Sequence, residues 1–216
     1  MKTPIDNIIE DIGPYDSIDW PTPNPKQEQF ILSRHSYPAM WGGKGSGKSY
    51  ALIQRAILLS VESAIHGDMA GNRGFMGRRE WQAFKTTTMR DFFRLLPREW
   101  IKQYSKQDRI LILQNGSEII FGHLDEISQV LSQTLGWIAV DQLEELDIDV
   151  WDELTLRHRM TERLNGKPLL YTSVFAVGNP PGPAHWCYGW EANRLIEGTS
   201  LHNPDFLCIN TTTFDN

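Results

Sequence analysis

The chain has 216 residues, 40 % of them apolar and 22 % charged, with 8 Trp and 9 Phe. A single domain of that size and composition can bury a sizeable core, which excludes general disorder, and no apolar run approaches the ~20 residues needed to cross a bilayer. The net charge of −6 does not advertise nucleic-acid binding.

In chain order, the N-terminus lacks the apolar core of a secretion signal. Residues 1–26 carry Pro4, Pro14, Pro21, Pro23 and Pro25. They read as an irregular, proline-rich arm on a domain spanning 27–216, because each proline removes a donor and extends its predecessor. Tyr37 to Trp41 forms a short apolar strand running into Gly42-Gly-Lys-Gly-Ser-Gly-Lys-Ser49. Lys48 to about Ala64 has a helical pattern, and Gly74-Phe-Met-Gly77 suggests a short strand. Between Arg73 and Arg109 there are 10 basic residues and 4 acids, so this stretch carries +6 against −12 elsewhere. Such a region could hold a phosphate backbone, but a solvated helix face explains it as well, and composition favours the latter.

Trp81, Phe84, Thr88, Phe92 and Leu95 recur at spacings of three and four, marking an amphipathic helix that ends before Pro97. Segments 109–113 and 118–121 flank Asn115-Gly116, a β-hairpin signal. Trp137 to Val140 is a strand ending at Asp141. A helix is expected over Val150 to about Arg163, and a strand over Leu169 to Val177, closed by Gly178-Asn-Pro-Pro-Gly182. Buried strands alternating with helices indicate an α/β fold with a mostly parallel sheet flanked by helices. Cys187 and Cys208 form no disulfide framework or metal-spacing motif, so a soluble, reducing compartment is expected. The six histidines are too dispersed for a metal site.

Gly42, Gly47, Lys48 and Ser49 fit G-x-x-x-x-G-K-[ST], after a strand and at the start of a helix. Small residues (Gly42, Gly43, Gly45, Ser46, Gly47) let successive N–H groups wrap a phosphate, and the helix N-terminus adds its positive end. Lys48 would reach the β- and γ-phosphates of ATP, the Ser49 hydroxyl would ligate Mg²⁺, and Tyr50 follows at the site. Lys44, inside the loop, could lean on the γ-phosphate, reach a neighbouring subunit's nucleotide or stay solvated. Asp141 ends an apolar strand as a Walker B carboxylate would, placing a second magnesium ligand beside Ser49. The next residue is Gln142 where glutamate is usual, so the group that polarises water is open between Gln142, Glu144 and Glu145.

These segments, with Gln27 after Pro25-Lys26, Gly178-Asn179-Pro180 and Thr211-Thr-Thr-Phe-Asp-Asn216, occur in an order that resembles the ATPase domain of phage large terminases, the motors that package viral DNA. The resemblance covers nearly all of the chain from Pro21 onward. It implies a P-loop NTPase fold of the ASCE type with an added hairpin near 109–121. It also implies Mg²⁺-ATP hydrolysis coupled to translocation of double-stranded DNA, held mostly by its phosphates, into a procapsid in the host cytoplasm. By the same resemblance Gln27 would read adenine, Asn179 would sense the γ-phosphate and couple hydrolysis to movement, and Lys44 would stand where an arginine often acts in cis. Arg157 and Arg159 are candidates for an arginine finger acting in trans within a ring-type homo-oligomer. Arg78 and Arg79 would touch nucleotide or DNA, or form salt bridges at the sheet edge. A portal protein and a small terminase subunit are the implied partners. The chain ends at Asn216, about where the family's nuclease linker begins, so an ATPase domain without nuclease is expected. A helicase- or recombinase-like ATPase, and a weakly hydrolysing docking module, are the rival readings.

Overall fold

Apolar segments bounded by glycines and polar turns become strands, and the periodic segments become helices. In chain order the first elements are α1 (Pro4–Ile12), α2 (Pro25–Leu32), β1 (Tyr37–Gly42), α3 (Lys48–Leu58), β2 (Glu62–Ser63), β3 (Gly67–Asp68) and β4 (Arg73–Arg78). Next come α4 (Trp81–Phe84), a π-helical turn (Lys85–Met89), α5 (Arg90–Leu95), β5 (Ile101–Ser105), β6 (Ile110–Leu113) and β7 (Glu118–His123). β8 (Trp137–Asp141), α6 (Ile148–Thr155), β9 (Ser173–Gly178) and β10 (Phe206–Thr211) complete the described elements. The computed structural model describes residues 3–13, 18–63, 66–125, 130, 132–188 and 205–215. Trp190, His202 and the final Asn216 lie outside them.

Eight strands share one sheet in the order β10-β1-β9-β8-β4-β7-β6-β5. From β10 to β7 neighbouring strands run parallel, while β6 and β5 are antiparallel. Successive residues of a strand point to opposite faces. Met40, Ala139 and Phe175 join a core covered by α1 to α5, including Ile8, Phe30, Leu52 and Phe92. Trp41, Val140 and Ala176 join a second core with Trp151 and Leu154 of α6. Burial on both faces is why the central strands are continuously apolar rather than alternating.

The expected hairpin is the β6–β7 turn, with Gly116 at φ 85°. It extends the main sheet and does not stand apart, because β7 also pairs with β4. The N-terminal arm differs from expectation, since residues 4–12 are helical. Thr3 and Asp6 form a reciprocal capping box, and Pro4 occupies the first turn, where a missing N–H costs nothing. Pro25 starts α2 in the same way, with Asn24 as its cap. The helix expected over 150–163 stops at Thr155, because Leu135, just before β8, bonds to the backbone of Arg157 and Met160 and draws that segment off the helix axis. α3 likewise ends at Leu58, and β9 begins at Ser173, after the exposed Leu170.

Arg55 of α3 is fully buried. Its guanidinium donates to the carbonyls of Phe30 (2.7 Å), Ile31 (3.0 Å) and Ser33 (2.9 Å), to the Tyr171 hydroxyl (2.7 Å) and to the Ser173 hydroxyl (3.2 Å). The Phe175 ring lies 5.0 Å from its carbon centre. Carbonyl dipoles and an aromatic face therefore meet this charge, and they close the end of α2 against α3. Arg55→Leu is expected to lower unfolding free energy by about 3 kcal/mol in urea denaturation, since several buried carbonyls lose their donor; wild-type stability would contradict this role.

His66 stacks on Tyr171 at 5.0 Å, and burial holds its pKa at about 4, against 6.5 for the free side chain. The unfolded chain takes up this proton first as pH falls, so His66 contributes stability that is complete above about 6.5 and lost by about 4. Urea midpoints should fall through that window, and less steeply in His66→Gln; identical slopes would refute the assignment.

Candidate functional site

Parallel strands present their carboxyl ends along one edge of the sheet, where α/β folds place ligands. The register sets Gly42 beside Thr211, Trp41 beside Gly178 and Asp141 beside Val177, so the segments leaving β1, β8, β9 and β10 start level with one another. Between them lies a cavity of about 470 Å³, lined by the loop from Lys44 to Tyr50 with Asp91, Asp141, Gln142 and Asn179.

The loop owes its path to Gly45 (φ 81°) and Gly47 (φ 75°), which adopt the left-handed conformation just before α3 begins. Such a turn at a helix start gathers backbone N–H groups into an anion-binding concavity. The Ser46 hydroxyl donates to the Gly43 carbonyl at 2.8 Å and holds the loop closed on itself. The C-terminal signature braces it from outside. Thr213 Oγ1 donates to the Lys44 carbonyl (3.2 Å), and Asp215 accepts from the Thr212 N–H (2.6 Å) and from Lys26 (3.0 Å), which hold its pKa down at about 2.

The Lys48 ammonium donates to the carbonyls of Gly42 (2.5 Å) and Gly43 (2.9 Å) and to Asn179 Oδ1 (3.4 Å). Burial lowers its pKa, while the nearby Glu144 and Asp141 carboxylates push it back up. Asp141 is 2 % exposed. Its Oδ2 accepts a hydrogen bond from the Thr88 hydroxyl at 2.5 Å. Burial raises its pKa, and Thr88 and Arg78 pull it down. A buried carboxylate sharing its cavity with the Ser49 hydroxyl is a hard-oxygen donor set, the chemistry magnesium prefers, so the residues present fit that ion.

The two glutamates after Asp141 have different surroundings. Gln142 is left-handed (φ 57°), and the 3₁₀ turn Leu143–Glu145 follows it. Glu145 is clamped by the Arg78 guanidinium in a two-pronged ion pair, and its carbonyl accepts from Arg79 at 2.6 Å. Glu144 instead accepts from Asn179 Nδ2 at 2.7 Å, and the same amide nitrogen donates to Gln142 Oε1 at 3.0 Å. A side chain at Gly178 would strike both Trp41 and the Glu144 carboxylate, so that close approach requires glycine. Asn179 thus joins Lys48 to Glu144 and Gln142.

Other expected site residues lie elsewhere. Gln27 is buried, and its amide oxygen closes the cap of α2 by accepting from the Asn24 N–H at 2.8 Å, so this structure does not bring it to the cavity. The hydrogen bonds from Leu135 put Arg157 and Arg159 beside the amino end of β8, the opposite edge of the sheet from the loop. Arg157 pairs with Glu153 at 3.4 Å, and Arg159 is exposed. Arg78 and Arg79 form edge salt bridges, to Glu145 and Asp125. Trp186 packs near Trp151 and donates to the Leu146 carbonyl at 2.7 Å. Among the described residues no His/Cys/Asp/Glu cluster suited to a metal occurs, and no helix is long and apolar enough to cross a membrane. Sequence reasoning passed over two residues, Thr88 and Asp91. Thr88 is a hydroxyl on an otherwise apolar stripe, which is the one signal that marks it.

Replacing Lys48 with alanine removes the cation at the centre of this arrangement, and ATP binding measured by calorimetry should be lost. Affinity equal to wild type would refute the phosphate-binding role of the loop.

Comparison with known proteins places this geometry in a family. Residues 34–216 match the family model described as phage terminase large subunit. No curated protein matches. Among solved structures, the large terminase of the thermophilic bacteriophage D6E superposes with a TM-score of 0.68 at 16 % identity, covering 90 % of this chain and 47 % of that one. The ATPase domain of the Thermus phage P74-26 large terminase gives 0.60 at 20 % identity, with 97 % of this chain and 86 % of that one covered. The HK97 bacteriophage large terminase gives 0.65 at 13 % identity, covering 95 % and 43 %. The chain therefore spans about half the length of the D6E and HK97 proteins. With a phosphate loop, an acidic strand end and an asparagine between them in one cavity, and with a family match over most of its length, this chain belongs to the phage terminase large-subunit family.

Proposed function

We propose that the chain is the motor ATPase domain of a viral large terminase, coupling hydrolysis of Mg²⁺-ATP to movement of double-stranded DNA into a procapsid in the cytoplasm of the infected host cell. The observation that carries this reading is Asn179, whose amide accepts from Lys48 and donates to Glu144 and Gln142. A phosphate-binding cation, a water-activating carboxylate and a polar reporter just past the end of β9 are thereby linked by single hydrogen bonds.

In this mechanism the loop N–H groups and Lys48 bind the β- and γ-phosphates of ATP, and Lys48 leaves the Gly42 and Gly43 carbonyls to do so. Ser49 and Asp141 would hold magnesium, which would supply positive charge to offset that on the phosphate oxygens. Glu144 takes the proton of the attacking water, and Gln142 and Asn179 fix its orientation. Glu145, spent on Arg78, has a structural part. Loss of the γ-phosphate changes what Lys48 and Asn179 hold, and that change passes into the Gly178–Gly182 segment as the mechanical output. Complexes of the D6E large terminase with ADP and with ATP-γ-S support nucleotide as the ligand.

DNA would be held mostly through its phosphates, with little sequence preference and strong salt sensitivity. Portal protein and small terminase subunit are the expected partners in a ring of identical subunits. An exposed Arg159 far from its own loop suits a group that completes a neighbour's site, as does Arg157 beside it, and Lys44 remains available to the nucleotide from within the loop.

The test is ATP turnover in two variants. Glu144→Ala should lower kcat by about 10³-fold with nucleotide affinity retained, in line with loss of a general base. Glu145→Ala should keep most of its turnover and lose stability instead. Near-normal turnover in Glu144→Ala would overturn the assignment.

A further inference from the structure

The helix expected from the spacing of Trp81, Phe84, Thr88, Phe92 and Leu95 is not regular. It widens into a π turn over Lys85–Met89, and both Phe84 and Met89, five residues apart, reach the core. Turns of this kind inside α-helices recur at functional sites. This one delivers Thr88, 2 % exposed, to Oδ2 of Asp141. Among the described residues, no other side chain donates a hydrogen bond to that carboxylate.

The turn is tied down at its other end. Lys85, its first residue, forms an ion pair with Asp11 of α1 at 3.1 Å, and Asp11 is 8 % exposed. The Tyr104 hydroxyl of β5 donates a short hydrogen bond to the other oxygen of Asp11, and Asn7 Nδ2 donates to the Tyr104 carbonyl at 3.2 Å. From the N-terminal helix the Asp11–Lys85 ion pair thus reaches the half-buried start of the π turn, and the backbone of that turn carries the connection to the buried Thr88–Asp141 hydrogen bond.

We infer that Thr88 is a positioning residue for the metal-holding carboxylate and that α1, through the Asp11–Lys85 pair, sets where Thr88 stands. The inference rests on the proposed function, in that Asp141 holds magnesium beside a nucleotide. A hydroxyl donated to one carboxylate oxygen fixes the rotamer of Asp141 and leaves Oδ1 to face the cavity. Removing it leaves a buried carboxylate without its donor and free to turn, which weakens the metal site without touching the phosphate loop.

The experiment is Mn²⁺ binding to the protein–ADP complex, followed by electron paramagnetic resonance, beside metal-free ADP affinity. Thr88→Val, which keeps the shape and removes the hydroxyl, should raise the half-saturating Mn²⁺ concentration about tenfold while metal-free ADP affinity is unchanged. Thr88→Ser should restore wild-type binding, a rescue that loss of packing alone would not give. Lys85→Met should shift Mn²⁺ binding in the same direction by less, and adding it to Thr88→Val should cause no further loss, because both act through one hydroxyl. Wild-type Mn²⁺ binding in Thr88→Val, or a loss in Thr88→Ser as large as in Thr88→Val, would overturn the role of Thr88. Full additivity with Lys85→Met would overturn the link to α1. Absence of nucleotide-dependent Mn²⁺ binding in the wild-type protein would instead overturn the proposed function, and this inference with it.

Discussion

Parallel pairing of β1, β9 and β8 is the constraint on which the site depends. β9 lies between the other two, so Gly178 leaves the sheet beside Trp41 on one side and one residue past the partner of Asp141 on the other. Neighbouring strands are about 4.8 Å apart, so the phosphate loop and the acidic tip of β8 stand about 10 Å apart, with Asn179 between them. A one-residue slip of β9 would turn its core residues over and carry Asn179 away from both. The two cores prevent that slip, because Phe175 and Val177 are buried on one face and Val174 and Ala176 on the other.

Charge burial is handled differently at each position, and the differences separate scaffold from site. Arg55 is met by carbonyls that are all fixed in the fold, which serve its Nη1 with three acceptors. Lys48 also rests on carbonyls, but these belong to the loop that it serves, and it lies close to two carboxylates. Asp141 has one hydroxyl donor and a raised pKa, an arrangement that favours a cation beside it. Asparagine suits the position between Lys48 and Glu144, because its amide accepts from an ammonium with one atom and donates to a carboxylate with the other. A charged residue at 179 would satisfy one partner and repel the other.

The parts of this account that were legible in the sequence are those set by local chemistry. The phosphate loop, the strand ending at Asp141 and the Asn115-Gly116 turn each follow from glycine geometry or apolar runs within a few residues. The order of motifs was enough to indicate the family. What could not be read required knowing which residues meet across the fold. Glu144 and Glu145 are adjacent and chemically identical, and only the positions of Arg78 and Asn179 give them different surroundings. Gln27, a base reader by resemblance, has its amide oxygen in the cap of α2, a contact that the spacing of motifs does not reveal. The prolines of the arm suggested irregular chain, yet Pro4 and Pro25 sit where a helix tolerates them, and the caps at Thr3 and Asn24 were the overlooked signal. Thr88 counted only as one member of an apolar stripe, because a π turn shifts the helix phase by an amount that residue spacing does not reveal.

The most direct measurement is a crystal structure of the chain with Mg²⁺ and a non-hydrolysable ATP analogue. The account predicts the β- and γ-phosphates in the turn from Gly42 to Ser49, with the metal between Ser49 Oγ and the Asp141 carboxylate and with Lys48 moved from the loop carbonyls to the γ-phosphate. A triphosphate bound elsewhere, or a metal that leaves Asp141 uncoordinated in both its inner and outer spheres, would contradict it.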